Sequence, residues 1–210
     1  MSRSTRLAAA CILAASALAI TVGTTTAGRL SLNANTFRFT WRNLEFVSSS
    51  FLGRNTVRCP TTMEGSFHSA TIQKRSAALI GHVTRATMFS SRCTGGEETV
   101  LQNSLPWHLT YEAFAGVLPN ISKLFYLFAG TSIALRFNEI TCLMRSEAAH
   151  NLSFGATIGA GGTITSLEAG ANEIPLTGGF PCEAANASIL PSPSTVTQAN
   201  SSSSLVSRLI

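Results

Sequence analysis

Apolar residues in this chain recur at every second position, in short runs broken by Gly, Pro and Asn. Phe37, Phe39 and Trp41 alternate with Arg38, Thr40 and Arg42. Leu44 and Phe46 then fall out of phase, which predicts a bulge or turn near Arg42 and Asn43. The same alternation runs through 66–73 and 78–85, through Trp107, Leu109 and Tyr111, and through Ile133, Leu135 and Phe137. An aromatic-rich strand is expected over 121–128 and shorter ones near 57–61, 99–101, 164–167 and 174–176, the first ending at Pro60. Side chains of a strand point alternately to opposite faces, so this period marks half-buried strands. The one helical stretch is 145–152, a turn or two. Strands at this spacing predict an all-β fold, an antiparallel two-sheet sandwich, with a closed β-barrel as the alternative.

Residues 1–27 have the three parts of a secretory signal peptide. Arg3 and Arg6 supply the positive start, 7–22 an apolar stretch, and Thr25-Thr26-Ala27 the small residues a signal peptidase reads. Cleavage is expected before Gly28, leaving one β-rich extracellular domain over 28–210. The apolar stretch is shorter than the ~20 residues of a spanning helix, so no membrane span is expected after cleavage. Cys11 leaves with the leader. Cys59, Cys93, Cys142 and Cys182 remain, an even number in an exported chain, and two disulfides are expected. Of the three connectivities, Cys59–Cys93 and Cys142–Cys182 are favoured, since each joins neighbours in sequence and brackets a group of strands.

Loss of Arg3 and Arg6 lowers the formal charge from +5 to +3, with 13 basic residues against 10 acidic ones. The basic residues are scattered and only Lys74 and Lys123 are lysines, so no phosphate-tracking cluster forms and no nucleic-acid partner is expected. All ten acidic residues are glutamates. The missing aspartate argues against an EF-hand, an aspartic-protease dyad and a Ser-His-Asp triad.

The segment Trp107, His108, Tyr111 and Glu112 carries the richest chemistry. On a strand, Trp107 and Tyr111 share one face, fit to stack on a sugar or flat apolar ligand. His108 and Glu112 share the other, fit for acid–base work. The competing reading puts both aromatic rings in the core. His68, His82 and His108 lie on three separate strands. Their convergence would make a zinc site, but the spacing does not require it, and neither a metal nor a cofactor is expected. Gly130-Thr131-Ser132 falls short of a nucleophile elbow, and 124–135 reads as a core hairpin. Gly159-Ala160-Gly161-Gly162 lacks the helix of a phosphate loop. Asn120, Asn151, Asn186 and Asn200 open N-glycosylation triplets.

Residues 191–204, rich in Pro and Ser, suggest a loop or linker, and the apolar 205–210 a last docking strand. The expected function is a non-enzymatic surface, adhesion or ligand-binding module. Its partner would be a glycan, a lipid or another surface protein. A secreted hydrolase using Glu and His, for which Glu64 and Glu112 are a candidate pair, and a carrier of small apolar ligands are the alternatives.

Overall fold

The structure is a computed structural model and describes residues 29–50, 53–118, 120–146 and 151–210. The leader and its cleavage site therefore lie outside the described residues. Fifteen strands follow one another: β1 (Arg29–Leu32), β2 (Thr36–Ser50), β3 (Gly53–Phe67), β4 (Thr71–Gln73), β5 (Ala78–Met88), β6 (Glu97–Val100), β7 (Trp107–Val117), β8 (Asn120–Ala129), β9 (Ser132–Phe137), β10 (Ile140–Arg145), β11 (Leu152–Ile158), β12 (Ile164–Thr177), β13 (Ala185–Leu190), β14 (Ser194–Thr197) and β15 (Ser207–Leu209). Only short 3-10 turns interrupt them among the described residues. Of the proposed helix at 145–152, Arg145 ends β10 and Leu152 opens β11, while 147–150 lie outside the described residues.

Every strand pairing is antiparallel. β15, β1 and β4 form a small sheet, and all other strands belong to one large sheet. Its order runs β11-β8-β7-β5-β3-β2-β13-β12, and β12 pairs again with β11, so the series returns to its start. The long strands divide their partners along their length. Residues 38–41 of β2 lie between β14 and the 61–64 part of β3, while residues 45–50 lie between β13 and the 53–58 part. β12 gives its first half to β11 and its last two residues to β10. A second group, β10-β9-β6, extends from there and reaches β3 through the bridge Arg58–Thr94.

The bulge expected at Arg42 and Asn43 is present: the β2–β3 register shifts between Trp41 and Leu44. It explains why β3 does not stop at Pro60. Proline has no N–H for a ladder. Pro60 stands opposite the bulge, between the pairs Leu44–Cys59 and Trp41–Thr61, and its carbonyl still accepts the Phe89 N–H at 3.1 Å.

Residues 124–135 are not a hairpin. β8 pairs with β7 and β11, whereas β9 pairs with β10 and β6. Gly130, at φ +80°, turns the chain from one group of strands into the other. The stretch 191–204 contains β14, paired with β2, and β15 docks on β1.

Inward residues form a continuous core. Trp41, Trp107, Phe37, Phe46, Phe128 and Phe154 are among its largest fully buried side chains. Phe128 and Phe154 stack with centroids 4.0 Å apart, and Trp41 donates its Nε1–H to the Ser192 carbonyl at 3.0 Å. Disulfides join Cys59 to Cys93 and Cys142 to Cys182, the favoured pairing. They point to an oxidising environment. No helix among the described residues is long and apolar enough to cross a membrane.

Candidate functional site

The structure divides the four residues singled out on β7. Trp107 and Tyr111 are 0% and 2% exposed, so their rings belong to the core and form no stacking platform. Trp107 donates its Nε1–H to Ser104 Oγ at 2.9 Å, and burial pushes the Tyr111 phenol up. His108 and Glu112 are exposed, but no hydrogen bond or ion pair joins them among the described residues. The reason is geometric. Four residues along a strand span roughly 13 Å, beyond the reach of an acid–base couple. Glu112 also sits in a break of the β7–β8 register between Tyr111 and Ala113.

The residues that do meet are the three histidines. β5 lies between β3 and β7, and its register places His82 beside His108 on one side and Ser66 on the other. His68 follows β3 directly and donates its backbone N–H to the Ile80 carbonyl at 2.8 Å. Its ring turns back onto β5, and Nε2 lies 2.9 Å from His82 Nδ1, a hydrogen bond in which one ring donates and the other accepts. The His82 and His108 rings meet edge to face with centroids 5.1 Å apart. Three imidazoles thus stand side by side, His82 and His108 on neighbouring strands and His68 in the bend after β3 rather than on a strand of its own, with His82 in the middle.

Gly65 allows this close approach. It marks a shift in the β3–β5 register, and a Cβ there would collide with the His82 carbonyl and the Phe37 ring. Glycine at such a bulge lets two backbones approach where any side chain would hold them apart.

On the same outer face of β3 and β5, Glu64 holds two arginines. Arg38 Nε lies 2.6 Å from Oε1, and Arg85 Nη1 lies 3.7 Å from Oε2. His82 is held below the ordinary imidazole range, first by desolvation and then by the nearby charges of His68 and His108. Protonating one ring of the row therefore disfavours protonating His82.

Among the described residues, no group of three or more His, Cys, Asp or Glu side chains is placed to hold a metal ion. The histidine rings follow one another along a row and do not surround a point. Ser132 is buried at the start of β9, and 160–162 is a short 3-10 turn. No protein-family model matches the chain, and no curated protein or solved structure matches it.

Proposed function

We propose that this chain is an exported, non-enzymatic binding module on a closed antiparallel sheet, and that it recognises an acidic glycan through the outer face of β2, β3, β5 and β7. The carrying observation is the contiguous row of His68, His82 and His108, with Arg38 and Arg85 on the same face. Glu64 offsets the two arginines of this face. As pH falls, the imidazoles gain protons and the face becomes cationic. A polyanion favours those protonated forms, so its binding strengthens in acid by linkage.

The leader and the two disulfides support export. The aromatic-filled core favours recognition on an outer surface. The engagement of Glu64 by Arg38 and Arg85 gives a Glu/His hydrolase less support, since a general acid or base needs a carboxyl open to substrate.

The test is binding of the exported chain to immobilised heparin, with dextran as the neutral control. Affinity is expected to be about tenfold higher near pH 5.5 than near pH 7.5. The double variant His68→Gln, His108→Gln is expected to lose most of that difference. Binding that does not vary with pH, or a double variant that keeps the full dependence, contradicts the proposal.

A further inference from the structure

On the outer face of β3 and β5, Thr62, Glu64, Arg85, Thr87 and Phe89 line a cavity of about 230 Å³. The register sets them side by side, with Thr62 opposite Thr87 and Glu64 opposite Arg85. Phe89 comes two residues after Thr87, and its backbone N–H donates to the Pro60 carbonyl at 3.1 Å, which continues the β3–β5 ladder. Its ring therefore leaves on the same face as Thr87. Each of the five residues keeps surface open to solvent. Phe89 is 43% exposed, and the Arg92 guanidinium lies over its ring, 5.8 Å from the centroid, and steadies it. The Arg85 side chain is 73% exposed, and its Nη1 lies 3.7 Å from Glu64 Oε2, longer than a hydrogen bond. The guanidinium thus keeps its donors for a ligand. Glu64 gives Oε1 to Arg38 at 2.6 Å and keeps Oε2 as an acceptor. The Thr62 and Thr87 hydroxyls make no hydrogen bond among the described residues.

We infer that this cavity is the subsite for one hexuronate ring; the inference rests on the glycan reading and names the sugar. A pyranose presents an apolar C–H face and a rim of hydroxyls, and a hexuronate adds a carboxylate. The C–H face lies on the electron-rich face of the Phe89 ring. The hydroxyls meet Thr62, Thr87 and Glu64 Oε2, which together offer donors and acceptors. The carboxylate meets Arg85, whose planar fork of N–H groups matches its two oxygens. The volume lies below the roughly 300–1,000 Å³ of pockets for drug-sized ligands, so it takes one ring and not a chain. The remainder of a longer glycan follows β5 towards His82, roughly 23 Å from Phe89 along the strand.

The test is NMR titration of the exported chain at pH 7.5 with methyl glucuronide, and with methyl glucoside as the uncharged control. Saturable binding of the glucuronide is expected, about tenfold tighter than that of the glucoside. Phe89→Ala is expected to weaken the glucuronide about tenfold, and Phe89→Tyr, which keeps the ring, to retain it. Arg85→Gln is expected to bring the two sugars to similar affinity. Folding of each variant is checked by thermal melting. Absence of saturable glucuronide binding overturns the inference, as do equal affinities of the wild type for the two sugars or undiminished binding by Phe89→Ala. The two readings separate cleanly. Heparin binding that strengthens in acid, without glucuronide binding, overturns the subsite and leaves the histidine row standing. Glucuronide binding that Phe89→Ala abolishes, beside heparin binding that does not vary with pH, supports the subsite and contradicts the role of the row alone.

Discussion

Glu98 occupies an inward position on β6, between exposed Glu97 and Thr99, and its partner across the strand pair is fully buried Leu135. Only 1% of it is exposed, and neither carboxylate oxygen has a hydrogen-bond partner. Burial therefore holds its carboxyl well above the usual carboxylate range. The folded state keeps this proton to higher pH than the unfolded chain does. The resulting stability is fully present below about pH 4.5, the ordinary value, and is lost as pH rises through the raised one. Glu98→Gln removes the ionisation. At neutral pH it should stabilise the fold and flatten this part of the profile. Urea unfolding across pH reads both, and a variant with the wild-type profile refutes the assignment. His82 acts with the opposite sign, its contribution being lost as pH falls below the ordinary imidazole value. The alternation on β7 shows in the sequence which residues share a face. It does not by itself show which face is inside; alternating aromatic residues on a half-buried strand favour the core for Trp107 and Tyr111, and the structure places them there.

At the level of the element, the local pattern was most legible where it depends on neighbours in sequence. The phase change after Trp41 marks the bulge of β2, and the apolar end of the chain marks β15. Deleting 205–210 removes fully buried Leu205 and the β15–β1 pairing. Burial of a leucine side chain contributes about 1.5–3 kcal/mol. The truncated chain is therefore expected to unfold at a lower urea midpoint, with a loss of at least about 2 kcal/mol. An unchanged midpoint contradicts the docking of this strand. Legibility failed where an element's partner is distant. Pro60 reads as a stop unless the opposing bulge is known, and 124–135 reads as a hairpin unless β8 and β9 are known to take different partners.

For the whole molecule, each disulfide connects elements that the large sheet also brings together. Cys59–Cys93 ties β3 to the segment leading into β6, and Cys142–Cys182 ties β10 to the turn before β13. They close loops of 34 and 40 residues. On the chain-entropy account each contributes about 4 kcal/mol. Reduction should therefore lower stability by several kcal/mol, and a non-reducing peptide map should recover these two pairs; four free thiols would refute both. The all-β class and the cysteine pairing were legible because composition, alternation and proximity in sequence carry them. The order of strands was not, because it rests on pairings between distant segments. The histidine row was hidden for the same reason: His68, His82 and His108 become neighbours only once β5 is placed between β3 and β7. The claim that this row is a proton-linked recognition face is tested most directly by an NMR titration of the His82 imidazole, with and without a heparin oligosaccharide. The account predicts a pKa below about 6.5 for His82 in the free protein, and a rise when the oligosaccharide is bound. A His82 titration that the oligosaccharide leaves unmoved would contradict it.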